Sequence, residues 1–132
     1  MRRSPGQGDA GSAAVDFALV GGLLTVLFVS VLQLALVLHV RSTLTDCASE
    51  GARLGARADR APSDGLARAR ELAGDELSDA YAGRITGASA GEVDVGGARA
   101  VEVRLTAPLP VIGLIGPAAA LTVTGHAYLE KQ

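Results

Sequence analysis

The sequence predicts an α+β fold: an N-terminal transmembrane helix extended by an outer helix, then a second helix and a small antiparallel β-sheet. Three observations predict it. An uncharged apolar run fills residues 17–38, small and apolar residues recur at helical spacing through residues 44–81, and strict alternation replaces that period beyond Gly87. A chain of 132 residues that is 48% hydrophobic and only 3% aromatic suits one small domain joined to a membranous segment.

The apolar run, "FALVGGLLTVLFVSVLQLALVL", holds 22 residues without a charge. At ~1.5 Å per residue it spans roughly 33 Å, enough for the hydrocarbon layer of a bilayer. It is too long for the ~7–15-residue apolar core of a secretory signal peptide, and no small-residue cleavage site ends it. "RRSPGQ" does not continue as a twin-arginine signal, and Asp46 beside Cys47 in "LTDC" argues against a lipoprotein box. Within the run Gly21 and Gly22 allow close helix contact, and Gln33, one turn after Ser30, suits a side-chain hydrogen bond to a neighbouring helix. Orientation stays open on charge alone: Arg2 and Arg3 precede the helix, while Arg41, Arg53, Arg57 and Arg60 follow it.

Beyond the membrane, Leu44, Cys47, Ala48, Gly51, Ala52 and Gly55 form a narrow stripe of small residues that extends the helix outward and lets another helix lie close. Pro62 ends that pattern. Ser63 or Asp64 then caps a second helix whose apolar face comprises Leu66, Ala69, Leu72 or Ala73, Leu77 and Tyr81, up to Gly83. Val93 and Val95, the turn "GGA" at residues 96–98, and Val101, Val103 and Leu105 describe a hairpin with one buried face. "APLPVIGLIGP" reads as a loop because of Pro108, Pro110 and Pro117, with apolar residues that need cover. A last strand over residues 121–129 alternates Leu121, Val123, Ala127 and Leu129 with Thr122, Thr124, His126 and Tyr128.

Little in the chain suggests chemistry. A formal net charge of −2, with no basic cluster interleaved with aromatics, predicts no nucleic-acid surface. Cys47 is the only cysteine, so it closes no internal disulfide; it is expected to be accessible or paired between chains. His39 and His126 lack convergent acids or metal-ligand spacing, and Asp75, Glu76 and Asp79 read as a solvated helix face. "GDAG" at residues 8–11 lacks the strand and lysine of a phosphate loop. The expectation is a protein without catalytic residues, cofactor or metal.

The stretch "GSAAVDF" gives the sharpest clue. A short hydrophilic leader ends in Gly11, a small polar residue Ser12 follows, Asp16 stands five positions after the glycine, and Phe17 opens the apolar helix. This resembles a prepilin-type processing site. The continuation "RSTLTDCASEGARLGAR" is similar to the segment that follows the membrane helix in TadE-like pseudopilins of tight-adherence pilus systems, and "LTVTGHAYLE" is similar to that family's C-terminal end. The helix and its continuation cover residues 11–57.

The resemblance implies a minor pilin-like structural component of a tight-adherence, type IV-like pilus assembly and secretion system. Residues 1–11 would be a leader removed after Gly11 by a prepilin peptidase, 12–40 a transmembrane helix, and 41–132 an extracytoplasmic α+β domain. It also implies a single-pass protein of the cytoplasmic membrane, N-terminus inside, with other pilin-like subunits, pilus assembly membrane proteins and the lipid bilayer as partners. Gly11, Ser12, Asp16 and Phe17 would serve processing, and Asp16 also subunit assembly. One departure stands out: the family usually has Glu where this chain has Asp16, which shortens the reach by one methylene. The alternative is a membrane-anchored envelope binding domain that never enters a filament.

Overall fold

The computed structural model describes residues 9–109 and 120–130. The element order is α1 (Asp9–Gly55), α2 (Pro62–Glu76), α3 (Asp79–Ala82), β1 (Gly87–Val95), β2 (Ala98–Pro108) and β3 (Ala120–Tyr128). The α+β class, with a long apolar helix first and a three-stranded antiparallel sheet last, is the architecture the sequence predicts. The chain forms two compact units, Met1–Ala35 and Leu36–Gln132, and α1 contributes to both.

In the first unit α1 is apolar on every side. Phe17, Leu23 and Phe28 are 81%, 70% and 64% exposed, and valines and leucines around the whole circumference are open as well. A helix apolar all round and uncovered among the described residues is a candidate membrane span. Its hydroxyls are satisfied internally: Thr25 Oγ1 donates to the Gly21 carbonyl at 2.8 Å and Ser30 Oγ to the Val26 carbonyl at 2.7 Å. Such back-bonding removes the penalty of an unpaired hydroxyl in hydrocarbon.

In the second unit the helices cover one face of the sheet. The strand order is β1-β2-β3, both pairs antiparallel, so β2 is central. Val101, Val103, Leu105 and Ala107 of β2 are fully buried, together with Leu44, Ala48 and Ala52 of α1 and Ala69 and Ala73 of α2. The small-residue stripe is what lets these layers meet. A Cβ placed on Gly51 would collide with the Gly65 carbonyl and lie 2.8 Å from the Ala69 Cβ. One on Gly125 of β3 would strike the backbone of Ala48 and Ser49. Contact at backbone distance admits no side chain, so α1 sits against α2 and β3 only through glycine.

Four expectations need correction. The second helix does not run unbroken to Gly83: it ends at Glu76, and Ser78 starts α3 by accepting the Tyr81 N–H on its Oγ at 3.1 Å. A serine hydroxyl that caps a new turn competes with continuing the old one. The cap of α2 is neither Ser63 nor Asp64 but Ala61, with Pro62 in the first turn; Asp64 reaches back from the third helical position to accept the Ala61 N–H at 3.0 Å.

The hairpin is the third. Its turn is two residues, Gly96 (φ 64°) and Gly97 (φ 85°), so Val95 faces Ala98 and Val93 faces Ala100. An even-length turn pairs odd β1 positions with even β2 positions. Val93 and Val95 therefore lie on the outer face, opposite Val101 and Val103, and Ala88 and Ala90 pack inward instead. The fourth is the proline-rich loop, whose first residues belong to β2: Pro108 closes that strand opposite Ala120. Val111, Ile112, Leu114 and Ile115 lie outside the described residues. The alternation of β3 stands as read, with Val123 buried and Thr122, Thr124, His126 and Tyr128 outward.

Candidate functional site

Gly11, Ser12, Asp16 and Phe17 lie on consecutive turns of α1, all exposed. Gly11 and Ser12 lie near the N-terminal edge of the described part of α1. A Cβ at Gly11 would meet nothing within 4 Å, so the fold itself does not demand glycine there. Ser12 and Asp16 are four residues apart and share a helix face. A chain beginning at Ser12 would place its ammonium one turn from the Asp16 carboxylate, at the positive end of the helix dipole. Phe17 follows as the first large apolar side chain of the uncharged run.

The second unit shows no catalytic constellation among the described residues. No group of three His, Cys, Asp or Glu side chains is placed to hold a metal there. His39 is exposed on α1, away from the core residues that begin with Val40. Cys47, expected to be accessible or paired between chains, is only 3% exposed and packs in the core with Leu44 and Ala48. Its position on the inward stripe, one residue before Ala48, is the reason: that stripe faces the sheet.

Sequence reasoning missed two features. The outer sheet face carries a charged cluster: Glu102 Oε2 meets His126 Nε2 at 2.8 Å, and its Oε1 accepts from Arg104 at 3.0 Å. The His126 hydrogen bond, followed by the nearby guanidinium, holds the Glu102 carboxyl below the usual carboxylate range. No local signal could reveal this pairing, because it depends on the β2–β3 register. The other is the structural need at Gly65 and Gly125. An isolated glycine inside a helical or alternating pattern marks close backbone approach, and both positions carried that signal.

Tyr81 joins α3 to the end of β2, its hydroxyl donating to the Pro108 carbonyl at 2.6 Å. Burial pushes its phenol up from the ordinary value.

Comparison with known proteins bears on the helix. The family model described as TadE-like protein matches residues 11–53, a third of the chain. The TadE-like resemblance read from the sequence is thus shown over that stretch, which begins at Gly11 and takes in the apolar run and most of the small-residue stripe. No curated protein and no solved structure matches the chain.

Proposed function

Taking the TadE-like match over residues 11–53 as the premise, we propose that this protein is a pseudopilin-like, non-catalytic component of a Tad pilus assembly system. One observation carries the reading. The matched stretch opens on Gly11, Ser12, Asp16 and Phe17, set on a helix whose apolar surface is exposed among the described residues. A prepilin peptidase would cut after Gly11, and the helix would stay in the cytoplasmic membrane with the second unit outside. Partners would be that peptidase, other pilin-like subunits and the membrane proteins that assemble them.

Asp16 has a physical role in this scheme. A carboxylate near hydrocarbon is costly unless paired, and low dielectric strengthens its attraction to a nearby ammonium. The Ser12 amino group freed by cleavage, its own or a neighbour's, supplies that partner. Asp16→Ala should therefore still insert and be processed but fail to co-purify with pilus machinery, whereas Asp16→Glu should assemble.

The decisive experiment is the mass of the mature chain from cells. The proposal expects a species beginning at Ser12, and expects Gly11→Leu to keep residues 1–11 because the side chain obstructs the cleft. A mature unmodified chain that retains residues 1–11 would favour the anchored envelope domain instead. A reporter after Gln132 found in the cytoplasm would overturn the orientation.

A further inference from the structure

The second unit is uncharged at one end of its sheet. Residues 105–125 carry no charge, a stretch that takes in the end of β2, Leu109 and most of β3. Pro108 pairs with Ala120 where the two strands end; Leu109 and Leu121 beside that pair are half-buried, and Ala120 is exposed. The sequence between Leu109 and Ala120 includes Val111, Ile112, Leu114 and Ile115 and no polar side chain.

Three contacts fix which part of α1 this end lies beside. The Glu130 N–H donates to the Ala56 carbonyl at 3.2 Å, a Cβ on Gly55 would lie 3.4 Å from Val101 Cγ1, and one on Gly125 would strike the backbone of Ala48 and Ser49. Going back along β3 is therefore going back along α1. Ala120 lies five residues before Gly125, about 17 Å at the strand rise, a distance α1 covers in about eleven residues. The strand end is thus level with residues 36–40, and Val40 is buried in one core with Leu105, Ala107 and Val123. Leu36 and Leu38, both exposed, close the 22-residue uncharged run. The opposite end of the sheet, at the Gly96–Gly97 turn, carries Glu92, Asp94 and Arg99 instead.

We propose that the β2–β3 end of the second unit rests on the bilayer surface, with Leu109, Ala120 and Leu121 where acyl chains meet headgroups. Continuity selects the occupant: Leu36 and Leu38 belong to the uncharged run and stand level with the strand end, so the solvent that receives the last turn of that run also meets Leu109 and Leu121. α3 borders this end through Tyr81, bonded to Pro108, and brings Asp79 and Arg84, one acid and one base. Their charges cancel, which leaves burial of apolar area as the driving term. The unit is then held at two points, helix and sheet end, and does not swing on one. This placement rests on the proposed reading that residues 17–38 span a bilayer.

The test places single tryptophans in the full chain, which has none of its own, reconstituted in phosphatidylcholine vesicles. Lipids brominated high on their acyl chains quench a tryptophan that touches them. Ala120→Trp and Leu109→Trp should each lose at least about half their emission in brominated vesicles and emit to the blue of Val95→Trp. Val95 stands about 33 Å away at the hairpin end, and its variant should lose little. Leu27→Trp, inside the uncharged run, tests the premise separately with lipids brominated deep in the chain. An unquenched Leu27→Trp overturns the span and this placement together. A quenched Leu27→Trp with Ala120→Trp quenched no more than Val95→Trp overturns this placement alone. So does an Ala120→Trp that emits to the blue without quenching, because protein then covers this end. Ala120 is exposed, an unchanged urea midpoint checks folding, and Ala120→Trp decides if Leu109→Trp does not fold.

Discussion

Replacing Gly51 with alanine tests the claim that α1 and α2 touch at backbone distance. The added methyl would lie 2.8 Å from the Ala69 Cβ and closer still to the Gly65 carbonyl. Carbon atoms rest near about 3.5–4.0 Å, so the helices must part by about 1 Å at the crossing. The obstruction is backbone, which cannot swing aside as the end of a long side chain can. Overpacking of this kind costs about 1–3 kcal/mol, and a rigid obstacle places it near the top of that range. Helix propensity returns about 1 kcal/mol when alanine replaces glycine. The net loss is about 2 kcal/mol, which for a unit of this size lowers Tm by roughly 8–16 °C. The chain has no tryptophan and two tyrosines, so near-ultraviolet circular dichroism of Tyr81 and Tyr128 follows the second unit without the helical signal of the long apolar segment. Gly74→Ala is the control, since its methyl would meet only the movable Asp79 carboxylate at 3.1 Å and Ala82 at 3.8 Å. It should melt at or slightly above the unmodified temperature. If Gly51→Ala melts as high as the Gly74→Ala control, the helix crossing is not glycine-dependent and the packing argument fails.

Three further outcomes are expected. Gly125→Ala should also destabilise the second unit, by about 1–3 kcal/mol, because its methyl would meet the Ala48 carbonyl at 2.6 Å; the same tyrosine-detected melt measures it. Gly97→Ala should cost about 1–2 kcal/mol in that assay, since φ of 85° is left-handed backbone and the cost comes from the chain and not from space. Glu102 has a carboxyl held below its ordinary value in the folded state, so the stability it contributes is present above the ordinary carboxylate range and is lost as pH falls through the lowered folded value. Urea unfolding through the acid range should show a shallower pH slope in Glu102→Gln than in the unmodified protein.

Much of this architecture is legible along the chain because it depends on neighbours in sequence. The candidate membrane span needs only composition: 22 uncharged residues in helical form are long enough to cross a bilayer. The stripe from Leu44 to Gly55, the inward Ala69 and Ala73, and the alternation of β2 and β3 follow from the repeat of each element's own geometry. The segment from Gly11 to Phe17 is equally local, so its resemblance could be seen before any fold was known. What only the tertiary structure decided are relations between elements. Whether Val93 points in or out depends on a turn of two residues and not three, a parity that no strand pattern contains. Cys47 is buried because the stripe on which it lies is covered by the sheet, and Glu102 meets His126 because the β2–β3 register sets residues 24 apart side by side. Periodicity states which side of an element avoids water; only packing states what stands against it, and at Gly51, Gly65 and Gly125 what stands there is another backbone.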